Sequence, residues 1–207
     1  MLRRANETKT VIDLLQSLLG ELNPSSLKSH FHLQRPSIPI TDSSGAVIRT
    51  VTSETPDLLY LLGSLPASDF VQENASLSLR MRRGPPFRGE HAFVWTLTGE
   101  KGEIRVTSAE SVAIILGLGD VEIQVHDYET DTLEEVRWEW EGWQTELSPP
   151  ARNVASVYEG VYEDWVGEEG EGKEGGAGKK KKKGYNDWEV ALRRHRQIEK
   201  AYSDNGF

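Results

Sequence analysis

The sequence lacks cysteine altogether in its 207 residues. Without thiols the chain cannot form a disulfide framework, a thiolate zinc site, an iron–sulfur cluster or a cysteine nucleophile. It also lacks any apolar run near the roughly 20 residues that a membrane-spanning helix needs. Its opening, MLRRANETKT, contains no apolar core of a signal peptide. We therefore expect a cytoplasmic protein that does not contact a membrane.

Basic residues are in the minority. Lys and Arg number 24 against 33 Asp and Glu, and the net charge of −9 argues against direct binding to nucleic acid. The lysine run at residues 179–183 is the one local exception, and it leaves a nuclear-localisation signal open as an alternative. A solvated low-complexity loop is the interpretation that we favour for this run.

Hydrophobic periodicity changes twice along the chain, from a helical period to a period of two and back. The spacing predicts helices at residues 8–22, 154–165 and 188–202. It predicts strands between them at residues 27–33, 46–51, 58–65, 75–82, 93–98, 103–106, 112–118, 121–125 and 133–140.

This order of elements predicts an α+β fold with one large, mostly antiparallel, open-faced sheet and helices on one face. A Rossmann domain is not expected, because strands and helices do not alternate. The dense apolar run at residues 58–65 predicts a strand covered on both faces. His195 falls on the apolar stripe of the last helix, which predicts a hydrogen-bonded core or boundary residue.

One domain is expected to span residues 10–207, preceded by an atypical N-terminal tail at residues 1–9. Residues 167–184 are almost entirely Gly, Glu and Lys. Such a segment cannot bury enough apolar surface to offset its ordering entropy, so we predict a disordered insert there.

Motifs for nucleotides and metals are incomplete. The pair Gly117 and Gly119 begins a dinucleotide fingerprint, but Glu122 replaces the third glycine and a strand follows in place of a helix. His30 and His32 share a strand face with no carboxylate on that strand. We expect no nucleotide site and no metal site in this chain.

Two groups of residues are candidates for binding. Arg82, Arg83 and Arg88 surround a Gly-Pro-Pro-Phe loop, and arginines on a rigid loop suit carboxylate or phosphate ligands. Solvated arginines at a strand exit are the alternative. Residues 133–140 would place Val136, Trp138 and Trp140 on one strand face, as core or as a subunit interface.

Several segments together resemble the C-terminal domain of the Gfo/Idh/MocA oxidoreductase superfamily, in particular its fungal, galactose-repressor-like branch. The resemblance covers nearly the whole chain from about Thr10, apart from the Gly/Glu/Lys insert. The matching segments are the opening helix TVIDLL to LGE, then QRP at residues 34–36, RGPPFRG at residues 83–89, GEKGEI at residues 99–104, and the end at residues 188–202.

The resemblance implies that NAD(P) would be bound by an N-terminal Rossmann domain, which this chain does not contain. The domain present here would shape the substrate site and often form the subunit interface. The family's catalytic carboxylate and histidine fall on Asn6 and Thr10, neither of which has a pKa suited to acid–base work near neutrality. The family's lysine would lie in the Rossmann domain, so the chain alone carries no catalytic set and no cofactor.

Three functional hypotheses follow. The first is an isolated or truncated, non-catalytic C-terminal domain that self-associates or binds a protein partner through its sheet, with Phe93, Trp138 or Trp140 in the interface. The second is a fragment of an NAD(P)-dependent sugar or polyol dehydrogenase, with Arg82, Arg83 and Arg88 near the substrate. The third is a galactose-repressor-like transcriptional regulator that uses the lysine run as a nuclear signal.

Overall fold

A computed structural model describes residues 2–109, 121–170 and 188–207. The expected α+β class is confirmed, and all strand pairs in the described residues are antiparallel. The chain forms two compact units. Unit 1 comprises Met1–Gly84 and Asn186–Phe207, and unit 2 comprises Pro85–Tyr185.

The helices of the described residues are α1 (Leu2–Leu19), α2 (Gly142–Thr145), α3 (Pro149–Gly170) and α4 (Trp188–Asp204). The strands are β1 (Lys28–His32), β2 (Ser37–Thr41), β3 (Val47–Thr52), β4 (Leu58–Leu65), β5 (Ala75–Arg82), β6 (Phe93–Thr98), β7 (Gly102–Ser108), β8 (Val121–Asp127) and β9 (Thr132–Glu135).

The core of unit 1 lies between one face of a three-stranded sheet, in the order β1-β4-β5, and the helices α1 and α4. The period-two pattern of the strands and the helical spacing of α1 and α4 bring their apolar residues to this one layer. The buried cluster consists of Ile12, Phe31, Leu59, Leu61, Ile198 and Ala201.

The second face of β4 is open. Leu59 and Leu61 are 7% and 2% exposed, whereas Tyr60 and Leu62 are 38% and 55% exposed. The prediction that this strand is covered on both faces was therefore wrong. The helices lie on one side of the sheet, and alternate side chains of a strand point to opposite sides.

The prediction of a single large sheet was also wrong, because the described strands form three sheets. The three-stranded sheet has β5 as its last strand, and after β5 the chain turns at Gly84, whose φ is +119°. A separate hairpin pairs β2 with β3. Strand β2 was not predicted because Pro36 and Pro39 suggested a break, but an outer strand of a small sheet tolerates a proline that donates no hydrogen bond.

Unit 2 contains a four-stranded sheet in the order β6-β7-β8-β9, including the predicted hairpin of β6 and β7. The predicted strand at residues 133–140 was too long, because β9 ends at Glu135. Beyond that point the Val136 amide still donates to the Ile123 carbonyl. The next exposed carbonyl, that of Val121, instead accepts from the indole Nε1 of Trp138 at 3.1 Å, which replaces a backbone pair.

Helix boundaries also differ from the sequence prediction. Helix α1 begins at Leu2, so residues 2–9 of the expected tail are helical, and it ends at Leu19 before Gly20 with a φ of +101°. Helix α3 extends to Gly170, into the first residues of the expected insert. The strand predicted at residues 112–118 and the rest of that insert lie outside the described residues. Within the part that is described, no helix has the length and apolar character to cross a membrane.

Candidate functional site

The buried residue Asp57 bonds to the segments that follow β1 and β5 in unit 1. Asp57 has a side chain that is 3% exposed, and it accepts from the Gln34 amide at 2.7 Å and from Arg35 Nε at 2.8 Å. Burial by itself raises the pKa of Asp57, but the hydrogen bonds from Arg35 and Gln34 and the charge of Arg35 outweigh it. The pKa of this carboxyl therefore lies below its ordinary value, and Asp57 is ionised at neutral pH.

Arg35 connects this carboxylate to the predicted arginine loop. Its Nη2 donates to the Arg83 carbonyl at 2.6 Å, while the Arg83 amide donates to the Asp57 carbonyl at 2.9 Å. Both ends of the Arg83 peptide segment are thereby fixed to the residues around Asp57. These two bonds fix the backbone of Arg83 at the end of β5.

Two guanidinium groups converge beside Gly84. If a Cβ were added to this glycine, it would lie 3.5 Å from Arg35 Nη1 and 3.7 Å from Arg82 Nη1. The φ of +119° at Gly84 is one that L-residues rarely adopt, so glycine keeps this space open. The sequence singled out Arg82 and Arg83, but it did not indicate that Arg35 would join them.

Arg88 belongs to unit 2, whereas Arg82 and Arg83 belong to unit 1. Within unit 1 the structure brings Arg35 to Arg82 and Arg83. The signal for Arg35 in the sequence was its position directly after a strand and before Pro36, which by itself indicates only a chain reversal.

The open face of the three-stranded sheet carries further basic side chains beside Arg82. Its cross-strand rows are His30–Tyr60–Arg80 and His32–Leu58–Arg82. The Arg80 guanidinium lies 5.9 Å from the centre of the Tyr60 ring, a cation–π distance. His30 and His32 do lie on this exposed face, as their alternation predicted, and the described residues include no metal-binding group of three or more His, Cys, Asp or Glu side chains.

The four-stranded sheet of unit 2 has one apolar face, which we call the apolar face of unit 2. The strand register places its side chains in three cross-strand rows. Most of these side chains are half-buried, and Ile104 is 39% exposed. The rows are Phe93–Ser108–Val121, Trp95–Val106–Ile123 and Leu97–Ile104–Val125.

The predicted interface residues lie near one end of this sheet. Phe93 begins β6 and is half-buried, and Trp138 bonds to the first residue of β8 through its indole. Trp138 and Trp140 meet edge to face with ring centroids 5.4 Å apart. The Arg152 guanidinium, on α3, lies 5.4 Å from the Trp140 ring. Trp138 and Trp140 are thus brought together by a loop rather than by a shared strand face.

The opposite face of the same sheet is mostly polar and holds an open groove of about 340 Å³. His126 Nε2 contacts Asp131 Oδ1 at 2.9 Å, and Asp131 has an unusual φ of +52°. Both side chains are substantially exposed, and no serine or threonine lines the groove to act as a nucleophile. The lining side chains are Glu103, Arg105, Gln124, His126, Asp131 and Leu133.

The positions at which the resemblance places a catalytic dyad, Asn6 and Thr10, lie one turn apart in α1. His195 is not a core or boundary residue as predicted. Its side chain is 48% exposed and contacts Glu199 Oε1 at 3.1 Å. The neighbouring Arg194 is buried instead, and its charge is paired with the carboxylate of Glu21, which lies just after α1.

Comparison with models of known protein families found no match, and no curated protein matches the chain. The fold and the sites define it as an α+β protein with open antiparallel sheets. One sheet exposes a basic face, and the other exposes an apolar one.

Proposed function

We propose that this chain is a non-catalytic domain, similar to the C-terminal domain of the Gfo/Idh/MocA superfamily, that acts by self-association through the apolar face of unit 2. The observation that carries the proposal is the uneven burial of the two units. All buried hydrophobic residues in the described chain belong to unit 1. The apolar side chains on the apolar face of unit 2 are only half-buried or exposed, although they include a Trp, a Phe, and several Val, Leu and Ile residues.

An exposed apolar sheet face can be buried by packing against the apolar face of a second sheet. Two antiparallel sheets pack face to face when both present apolar side chains, with the layers about 10 Å apart. A second copy presents the same face, so a twofold, self-complementary contact is available without any further partner. The aromatic residues Trp95 and Phe93 are of the kind enriched in such contacts.

The proposal assigns no cofactor to this chain. Under the family resemblance NAD(P) would be bound by a Rossmann domain, and Thr10 and Asn6 supply no group that exchanges protons near neutrality. A cytoplasmic location and the absence of direct nucleic-acid binding belong to the same proposal, and a different protein is the alternative occupant of the apolar face.

Sedimentation velocity at micromolar concentration tests the proposal, and two variants identify the face. Ile104→Glu places a charge on the apolar face, whereas Val94→Glu places the same charge on the opposite face, where Val94 is 57% exposed. We expect a dimer for the natural chain and for Val94→Glu, and a folded monomer for Ile104→Glu. A natural chain that stays monomeric, or equal dissociation by both variants, would contradict the proposal.

A further inference from the structure

We propose that strand β5 of unit 1 pairs along its open edge with β5 of a second copy of this chain, antiparallel and about a twofold axis. The three-stranded sheets of the two copies thereby join into one continuous sheet. This contact lies wholly in unit 1 and goes beyond the association through the apolar face of unit 2, because each contact can form without the other.

The two edges of the three-stranded sheet differ. At the β1 edge the Phe31 amide donates to Asn205 Oδ1 at 2.9 Å, and Asn205 Nδ2 donates to Ser29 Oγ at 2.8 Å. The residue that follows α4 therefore bonds to the outer side of β1. At the other edge, no strand in the described part of the chain pairs with the outer side of β5. An open strand edge is a template for a further strand.

The outward backbone groups of β5 belong to its even-numbered residues. The Arg83 amide donates to the Asp57 carbonyl, and hydrogen-bonded pairs alternate along an antiparallel ladder. The odd-numbered residues therefore bond to β4, whereas the amides and carbonyls of Ser76, Ser78 and Arg80 point away from it. No described residue bonds to these outward groups. Strand β5 also contains neither a proline nor a bulge, two devices that protect sheet edges.

The side chains of β5 favour a second copy as the partner. A twofold pairing centred on Ser78 sets Ser78 opposite its own copy and Ser76 opposite Arg80, so no arginine faces an arginine across the axis. On the other face of the sheet, Leu77 lies opposite Leu79 of the second copy. Leu79 packs against the core of unit 1 but is only half-buried, so the added strand extends the apolar layer over it. Both faces of β5 therefore match their own copies in this register.

The contact is expected to be weak. The pairing covers residues 75–81 of each chain and leaves Arg82 outside it. Two short strands bury less than the about 1,200 Å² at which standard interfaces begin, an area typical of transient contacts. We therefore expect the β5 contact to be dissociated at micromolar concentration and formed near millimolar concentration.

Disulfide trapping tests the pairing, because the chain contains no cysteine and single thiols can be introduced. Ser78→Cys places thiols on two opposed residues, whose Cα atoms lie about 5.5 Å apart in a hydrogen-bonded pair, within the range of a disulfide. Ser76→Cys is the matched control, because Ser76 is also an exposed serine on the same face of β5. Its two copies lie about 14 Å apart along the paired strands, too far for a disulfide. Both variants also carry Ile104→Glu, so that the apolar face of unit 2 does not contribute.

Near millimolar concentration, in a buffer of oxidised and reduced glutathione, we expect the Ser78→Cys chain to form a disulfide-linked dimer. The Ser76→Cys chain should form at least about tenfold less of it, because its thiols do not meet. Non-reducing electrophoresis measures both yields. Sedimentation of the Ile104→Glu chain without any cysteine reports the same contact independently, and it should show dimers near millimolar concentration.

Two outcomes would overturn the proposal. Equal linking of the two cysteine variants would show that the chains meet by random collision or through another surface. A chain with Ile104→Glu that stays monomeric near millimolar concentration would show that the β5 edge does not bind a second copy. The association through unit 2 is tested at micromolar concentration with Ile104 and Val94, so each proposal can fail without the other.

Discussion

Arg194 donates from both Nε and Nη2 to one carboxylate oxygen of Glu21, at 2.9 and 2.6 Å. Its third nitrogen, Nη1, donates to the Asp13 carbonyl at 3.2 Å and to Ser17 Oγ at 3.1 Å. The arginine side chain is 3% exposed, so its charge is buried yet fully partnered. This contact joins α4, near the end of the chain, to α1, near its beginning.

Replacing Arg194 should destabilise unit 1 strongly. In Arg194→Leu the carboxylate of Glu21 loses its buried partner and keeps only the exposed Arg193. Removing one member of a buried pair costs about 3 kcal/mol. Arg193→Leu is the control, because Arg193 is 49% exposed and lies 3.5 Å from the same carboxylate. It should change the free energy of unfolding by less than about 1 kcal/mol, as measured for exposed pairs. Urea unfolding of both variants measures the difference, and equal effects would show that the buried pair does not stabilise the fold.

The two faces of β4 predict unequal effects of neighbouring leucines. Leu61→Ala removes a core side chain and should lower the free energy of unfolding by about 3 kcal/mol. Leu62→Ala changes a side chain that is 55% exposed on the opposite face, and it should cost less than about 0.5 kcal/mol. Urea unfolding of both variants at low protein concentration measures the two losses in free energy of unfolding. A large cost at Leu62 in the monomer would mean that this face is covered.

Acid should weaken the contact between Asp57 and Arg35. Because the folded pKa of Asp57 is below its ordinary value of 3.8, its contribution to stability is fully present above pH 3.8. The contribution is lost as the pH falls through the lower, folded pKa. We expect the stability difference between the natural chain and Asp57→Asn to be largest near neutrality and to shrink on acidification below 3.8. Unfolding curves across this range measure it, and a difference independent of pH would contradict the assignment.

The pairing of β7 with β8 in unit 2 depends on a close approach at Gly102. A Cβ added there would overlap the backbone carbonyl of His126 on the neighbouring strand, so Gly102→Ala must displace β8. Such overpacking should cost about 2 kcal/mol.

Gly99→Ala is the matched control in the turn between β6 and β7, because its Cβ would find an ordinary contact of 3.5 Å with the Gly102 carbonyl. Urea unfolding followed by tryptophan fluorescence compares the two variants. Equal stability of both would show that the strands are not in the close register described above.

The sequence predicted β4 from its dense apolar run, β5 from its strict alternation, and the hairpin of β6 and β7 from the Gly-Glu-Lys-Gly turn between them. It did not predict which residues of α4 are buried. The inward positions include Arg194 and Gln197, which a hydrophobic pattern assigns to the surface. Gln197 accepts a buried hydrogen bond from Gln16 Nε2 at 3.1 Å, and that partner lies at the other end of the chain.

The cluster of Arg35, Arg82 and Arg83 at the end of β5 was predicted only in part for the same reason. Arg82 and Arg83 stand out in the sequence because they adjoin a Gly-Pro-Pro turn. Arg35 does not, since its importance comes from Asp57 and from the path of the loop past Gly84.

Local periodicity and turn chemistry by themselves determined the α+β class, most of the strands, and the absence of thiol chemistry. Only the tertiary structure decided how many sheets form, which sheet face stays open and which arginines converge. Those features depend on contacts between residues far apart in the chain, and hydrophobic spacing along the sequence carries no information about such contacts.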